Sequence, residues 1–225
     1  MTPQEEREFV TGACQKLEKR GWFPGEQFKP STITEEEISA FEWEHQVHLP
    51  SLYRTFLTSF RLPQDLRNAV QICSILEAEF EELTQFWIEI DRPRSMADVT
   101  HRMELLQEIR DFCELPEDCF RNLIPIGDFG AGWGPLCIDL SQPEDKIDEK
   151  DESTWSLVWF DHEEFDWDQQ YLGEDGLLHG KKALPNLKAL LELYFYGVLE
   201  ERFEREEGIK PTYEWYHENT RYQGT

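Results

Sequence analysis

Two short stretches of this chain carry residue types that could do chemistry. In the first, four glycines between positions 127 and 134 surround Asp128 and Trp133. A phosphate-binding loop also needs a lysine followed by serine or threonine at the start of a helix. Here an acid lies inside the loop and a strand pattern follows. We therefore interpret the loop as a tight turn in which glycine allows positive backbone angles.

Trp133 supports two interpretations, because a large aromatic side chain inside a glycine-rich turn has few neighbours of its own in sequence. It can fold back over a sheet and add to the core. It can instead stand out as an interface anchor, a role that tryptophan commonly takes. The sequence alone does not choose between these two roles.

The second stretch is the densest group of potential metal ligands in the chain: Asp161, His162, Glu163, Glu164, Asp166 and Asp168. Carboxylates suit hard cations, but the spacing of a calcium loop and the His-Glu-x-x-His pattern of a zinc protease are both absent. A strand would also send successive side chains to opposite faces. We interpret positions 161–164 as the solvated end of a strand that can contribute to a partner surface. A carboxylate-rich, metal-dependent hydrolase stays as an alternative.

The charge balance excludes one class of partner. The sequence has 47 acidic and 22 basic residues, which gives a formal net charge of -25. Binding nucleic acid needs a positive surface that follows the phosphates, so we expect no nucleic-acid ligand. A strongly negative surface can steer association with a basic protein, or it can simply keep an acidic protein in solution, and the charge alone leaves both interpretations open.

Other features of the sequence bear on location and redox state. The start, MTPQEEREFV, lacks a basic segment followed by an apolar one, and no run approaches the ~18 apolar residues that span a bilayer. We expect a cytoplasmic protein without a membrane partner. Five cysteines at irregular spacings, without a Cys-x-x-Cys pair, indicate reduced and mostly buried thiols. No pattern points to a cofactor.

The first part of the chain predicts three helices that would support these stretches. Residues 3–20 repeat apolar side chains on one face. Thr34 and Glu37 have the spacing of a capping box, which marks the start of the second helix. Pro50 is expected to open the third helix, because proline is tolerated in a first turn.

The middle of the chain predicts a short strand at 69–75 and then a helical hairpin over 76–112. Its first arm keeps helical spacing to position 90. Arg92-Pro93 ends that arm, and Ser95 caps the second arm.

The sheet pattern follows. Positions 136–140 alternate apolar with other residues, which predicts a half-buried strand. Positions 155–160 are largely apolar on both faces, which predicts a more central strand. A last helix is expected from Leu187 to Gly208. The aromatic tail 209–225 indicates docking on the body of the protein or on a partner.

Together these elements predict an α+β fold, in which a single twisted and mostly antiparallel sheet packs against several helices. A chain of 225 residues is long enough for one sizeable core. We expect one domain over residues 1–225. The N-terminal helix 3–20, the helical hairpin 76–112 and the tail 209–225 are expected to be additions to its core.

The order of four segments resembles the SUKH superfamily. These segments are TEEEISAFEWEHQVHLPSLYRTFL, LIPIGDFGAGWGPLCIDLS, WSLVWFDHEEF and LPNLKALLELYF, and the resemblance covers roughly residues 30–200. The superfamily includes yeast cell-wall-assembly regulators and many bacterial immunity proteins that neutralise polymorphic toxins. The long hairpin and both terminal segments depart from a minimal member, which leaves the subfamily and the partner open.

The resemblance implies a non-enzymatic, SUKH-like protein-binding domain without cofactor or metal, as a monomer or weak dimer. The implied function is immunity: an acidic surface binds a toxin domain with a basic surface, such as a nuclease groove. A signalling or scaffold protein like the cell-wall regulators is the alternative. The residues expected to contact the partner are Asp128, Trp133, Asp161, His162, Glu163 and Glu164.

Overall fold

The computed structural model describes residues 1–19, 28–62, 88–129, 134–141, 155–161, 166–208 and 210. The predicted strand 69–75 lies outside these residues. So do positions 76–87 of the predicted hairpin and, apart from Lys210, the predicted tail 209–225.

The helices of the described residues are α1 Pro3–Lys19, α2 Glu35–His45, α3 Ser51–Ser59, α4 Met96–Phe112, α5 Trp167–Gln170, α6 Leu187–Leu190 and α7 Val198–Glu207. A π-helical turn, Leu191–Phe195, joins the last two. The strands are β1 Lys29–Pro30, β2 Phe60–Arg61, β3 Ile88–Ile90, β4 Leu123–Phe129, β5 Gly134–Asp139, β6 Leu157–Trp159 and β7 Lys181–Leu184. Among the described helices, none is long and apolar enough to cross a membrane.

The main sheet has the strand order β3-β4-β5-β6-β7, and every neighbouring pair is antiparallel. A separate two-stranded ribbon pairs β1 with β2. The predicted α+β architecture with a mostly antiparallel sheet is therefore confirmed. The strand within 155–160 is β6, which pairs with β5 on one side and β7 on the other. The prediction that it is more central than the strand at 136–140 is wrong, because β5 is the middle strand of the five.

Both faces of the main sheet are buried. One face presents Ile124, Leu136, Ile138, Leu157 and Trp159 to a core that includes side chains of α1, α2 and α3. The opposite face contributes to a second core, formed by Leu106, Phe120, Leu123, Cys137, Val158, Phe160, Trp167 and Leu178 among others. Every residue of β5 is buried. The prediction of a half-buried strand at 136–140 is therefore wrong, because a second layer covers the face that the alternation assigned to solvent.

The starts of the helices follow the predicted local chemistry. The Thr34 Oγ1 atom accepts from the N–H of Glu37 at 3.2 Å, and the N–H of Thr34 donates to Glu37 Oε2 at 2.9 Å. This capping box begins α2 as predicted. Pro50 occupies the N-cap of α3, which starts at the next residue. The predicted N-terminal helix is α1, which packs on α3.

The first arm of the predicted hairpin needs a correction at its end. Ile88–Ile90 form strand β3, in which Ile90 pairs with Gly127 of β4. An isoleucine-glutamate-isoleucine run fits both a helix and a strand, and pairing with the edge of β4 decides for the strand. The second arm is confirmed as α4, which begins after Ser95.

The last helix also differs from the prediction. A π-helical turn and then Gly197, with φ of 87°, separate α6 from α7. Gly208 ends α7 in the left-handed region, as predicted. The π-helical turn directs Tyr194 and Phe195 into the first core.

Candidate functional site

The strand register brings two of the predicted partner-binding residues to one end of the sheet. Asp128 of β4 pairs with Pro135 of β5, and the carbonyl of Pro135 accepts from the N–H of Phe160 at 3.3 Å. Asp161 directly follows Phe160, so Asp128 and Asp161 lie at the same end. The remaining predicted contacts lie outside the described residues and stay predictions: Trp133, His162, Glu163 and Glu164.

Asp128 is one of two carboxylates that Arg102 of α4 holds. The Arg102 Nη2 atom donates to Asp128 Oδ2 at 3.1 Å, and its Nε atom donates to Asp91 Oδ2 at 2.8 Å. Burial alone would lower the pKa of Arg102, but the charges of the two aspartates outweigh burial and raise it. We call these three residues the Arg102 cluster. Within it, one positive charge is shared by two carboxylates, so the charge of Asp128 is only partly offset.

A pocket of about 180 Å³ opens beside the Arg102 cluster, with Tyr53, Asp98 and His101 among its lining residues. Burial, with a contribution from the charge of Asp91, raises the pKa of the Tyr53 hydroxyl. The Tyr53 hydroxyl therefore stays protonated at neutral pH and cannot act as a base. Asp98 is engaged in capping α4, where its Oδ2 atom accepts from the N–H of Ser95 at 3.2 Å. Of the groups that line this pocket, Tyr53 and Asp98 therefore offer polar contacts and no prepared base.

Asp161 is buried, and its backbone anchors the chain after β6 onto α5. The carbonyl of Asp161 accepts from Trp167 Nε1 at 2.8 Å, and its N–H donates to the Tyr171 hydroxyl at 3.3 Å. The rings of Phe160, Trp167 and Tyr171 lie with centroids between 5.1 and 5.7 Å apart. Asp161 therefore has a structural role whether or not it also contacts a partner.

The acidic stretch after β6 is described only at Asp161, Asp166 and Asp168. Asp166 Oδ1 accepts from Gln170 Nε2 at 2.7 Å across one turn of α5. Within the described ranges, no group of three or more histidine, cysteine, aspartate or glutamate side chains is arranged to hold a metal ion. The metal-dependent alternative gains no support from this part of the chain.

A contact between Ser141, His179 and two aspartates was not predicted from the sequence. Ser141 Oγ lies 3.3 Å from His179 Nδ1, and His179 Nε2 lies 3.1 Å from Asp175 Oδ2. The Ser141 hydroxyl and N–H both donate to Asp139 Oδ1, at 2.6 and 2.9 Å. A serine nucleophile needs its proton directed to the histidine and N–H donors left for the oxyanion. Both donors of Ser141 point to Asp139, so this arrangement fits a structural network.

Asn122 ties this network to the second core. Its Nδ2 atom donates to Asp139 Oδ1 at 2.7 Å and to the carbonyl of Leu178 at 3.0 Å. Both Asn122 and Asp139 are buried. Asn122 and Asp139 meet through the pairing of β4 with β5, in which Leu123 pairs with Asp139. Leu178 and His179 join them because the 171–180 segment packs over the sheet. No spacing pattern in the sequence could have identified them.

An exposed tryptophan on α2 is a further feature that the sequence predictions missed. The Trp43 side chain is 86% exposed, and Glu36 and Glu44 on the same helix are also exposed. Glu35 of the same helix differs from these two glutamates, because it pairs with Arg54 of α3 at 2.6 Å. Helical periodicity places position 43 away from the buried face of α2, so the sequence did contain a signal for this exposure.

Comparison with models of protein families gives a match for this chain. A family model described as the SMI1 / KNR4 family (SUKH-1) matches residues 32–172, which is more than half of the chain. The matched segment contains Trp43, the Arg102 cluster and Asp161. No curated protein matches the chain.

Proposed function

The chain belongs to the SMI1 / KNR4 family (SUKH-1), and we propose that it acts as an immunity protein that binds and neutralises a cognate bacterial polymorphic toxin. At the coarser level, this family places the chain among protein-interaction domains of the immunity type. Family membership is the observation that carries the proposal. The proposed mechanism is stoichiometric, since the folded chain covers the active site or the substrate groove of the toxin.

The charge of the chain supports a toxin with a basic surface. A nuclease toxin needs a basic groove, because its substrate is a polyanion. A protein with a formal net charge of -25 is attracted to such a groove and competes with nucleic acid for it. Association driven in this way is fast and weakens with salt, because the screening length is about 10 Å at 0.1 M ionic strength.

The chemistry of three candidate nucleophiles supports binding without catalysis. Burial raises the pKa of the Cys14 thiol to about 12 and also raises the pKa of the Cys137 thiol. Both thiols stay protonated at neutral pH, whereas the thiolate is the nucleophilic form. The Ser141 hydroxyl donates to Asp139 and is not directed to His179. None of these three groups is prepared to attack a substrate.

Affinity capture from a native lysate, followed by mass spectrometry, tests the proposal. We expect one dominant toxin fragment. Its association rate should fall by about tenfold or more between about 50 mM and about 500 mM salt. Capture of several kinases or envelope-assembly proteins would instead support the scaffold alternative. A toxin that associates equally fast at low and high salt would contradict the basic partner surface.

A further inference from the structure

The solvent face of α2 presents an apolar anchor without large neighbours. Trp43 is 86% exposed. Residues three, four and seven apart lie on one face of a helix, so Ala40 lies next to Trp43 on this face and Glu36 lies two turns before it. Ser39 and Ala40 are exposed and small, which leaves the approach to the indole ring open.

The acids around Trp43 differ in what they contact. The Glu42 carboxylate pairs with Arg54 and accepts from the N–H of Leu49 at 2.8 Å, so its charge is used within the chain. Glu36 and Glu44 are exposed, and neither makes an ion pair within the described part of the chain. Their charges are therefore available to an external cation.

A hollow borders Trp43 at the end of α2. It is open to solvent and is lined by Glu42, Trp43, Glu44, Gln46 and Val47. Gln46 ends the helix in the left-handed region, with φ of 54°, so the chain turns away directly after Trp43 and Glu44. Half-buried Val47 adds apolar surface to the hollow. A concavity beside an exposed indole suits an inserted side chain of a partner.

We propose that this surface, the Trp43 face (Glu36, Ala40, Trp43, Glu44 and Val47), binds an arginine-bearing segment of the protein partner. A guanidinium stacks on the indole ring, and the negative charges of Glu36 and Glu44 attract the cationic segment to this face. Arginine is favoured over lysine, because the planar guanidinium both stacks and pairs with carboxylates. This inference rests on the proposed function, which requires a protein partner. It adds which surface of this chain binds the partner and which side chain the partner presents.

The same charges disfavour a second copy of this chain as the occupant. Two copies meeting at Trp43 would bring Glu36 and Glu44 of each against those of the other. Each copy also carries a formal net charge of -25. Like charges brought together at an interface cost free energy, whereas a cationic segment is complementary to this face.

The test uses the full chain and a defined probe, acetyl-tetraarginine amide, at low salt. Calorimetric titration measures the affinity, and NMR of the tryptophan indole N–H groups locates the site. The variant Trp43→Phe assigns the resonance of Trp43, since that resonance disappears. We expect the probe to shift this resonance, and Trp43→Ala to weaken binding by about 3- to 30-fold. Acetyl-tetralysine amide should bind the parent chain more weakly than tetraarginine does.

Phe112→Ala is the matched control. Phe112 is an aromatic residue that is 72% exposed at the end of α4 and lies next to Asp111, which pairs with Arg110 at 2.6 Å. Its removal should leave the affinity for the probe unchanged. Far-UV circular dichroism of both alanine variants checks that the fold is retained, which their exposure leads us to expect.

Three outcomes would overturn the inference: unchanged affinity in Trp43→Ala, an equal loss in Phe112→Ala, or dimerisation through Trp43. The captured partner separates this inference from the proposed function. A toxin neutralised equally by Trp43→Ala and by the parent would overturn the inference and leave the immunity function standing. A chain that binds the probe through Trp43 and captures no toxin would keep the inference and contradict the immunity function.

Discussion

Replacing Arg102 tests how the predicted site residue Asp128 is held. Arg102→Met removes the charge and keeps an apolar side chain of similar length. It deletes the bonds to Asp91 and Asp128 and the bond from Nη2 to the carbonyl of Gly127 at 3.3 Å. It also leaves two carboxylates near each other without the cation between them, at the junction of β3, β4 and α4.

The expected loss follows from how buried these groups are. The Arg102 side chain is 27% exposed, and those of Asp91 and Asp128 are 27% and 32% exposed. Fully exposed ion pairs contribute about 0–1 kcal/mol, whereas breaking a buried pair costs about 3–5 kcal/mol. The Arg102 cluster lies between these limits. We therefore expect Arg102→Met to lower the free energy of unfolding by about 2 kcal/mol.

Urea unfolding at neutral pH measures this loss, provided that the m value stays constant. Arg102→Lys keeps the positive charge but not the planar set of guanidinium N–H donors. Its free energy of unfolding should therefore fall by less than that of Arg102→Met. Arg121→Met is the control, because Arg121 is exposed, and should change stability by less than about 0.5 kcal/mol. A double-mutant cycle with Asp128→Asn should give a coupling of at least about 0.5 kcal/mol. A loss below about 0.5 kcal/mol for Arg102→Met, or zero coupling, would refute the reasoning.

Three further predictions concern stability. Asn122→Ala should cost about 2–4 kcal/mol in chemical denaturation, because the buried acceptors at Asp139 and Leu178 each lose a donor; a change within about 0.5 kcal/mol would contradict this network. Gly180→Ala should lower Tm more than Gly208→Ala. A Cβ atom at position 180 would lie 2.6 Å from the Trp159 carbonyl oxygen, whereas at position 208 only the φ of 68° opposes the change. The reverse order would argue against the packing of the 171–180 segment. The free energy of unfolding should fall as pH rises above the ordinary thiol pKa of 9.0. Burial raises the pKa of Cys14 to about 12 and that of Cys119 to about 11 in the folded chain, so these thiols stay protonated at a pH at which the unfolded chain has lost both protons. Cys14→Ala should reduce this alkaline loss in denaturation curves measured at increasing pH, and an unchanged slope would count against it.

Elements set by near neighbours in sequence could be predicted. The capping box depends only on Thr34 and Glu37, and the start of α3 depends on Pro50, so both lie where expected. Positions 155–160 are largely apolar on both faces, and this property alone indicated a buried strand, as β6 is, although β5 and not β6 is the middle strand.

Elements set by distant partners were predicted less well. Ile88–Ile90 form a strand because the edge of β4 is there to pair with, and helical spacing in the sequence carries no information on that edge. The burial of β5 on both faces depends on the layer formed by residues 166–180, which lies far from β5 in sequence. The alternation around Cys137 and Asp139 indicated a strand but could not show that this second layer exists.

The same distinction between near and distant partners holds for the residues of the candidate site. The sequence grouped Asp128 with Asp161, and the strand register places them at one end of the sheet. It could not show that Arg102 pairs with Asp128, or that Ser141 and His179 meet, because those contacts depend on tertiary packing. Helical periodicity places Trp43 on the solvent face of α2, but an exposed position does not by itself mark a binding residue.

The stoichiometry of inhibition tests the central claim most directly. The captured toxin is titrated with this chain while the activity of the toxin is followed. The immunity account predicts that activity falls linearly and reaches zero at one chain per toxin molecule. Complete loss of toxin activity at a small fraction of one chain per toxin would show turnover and would contradict a non-enzymatic binding protein.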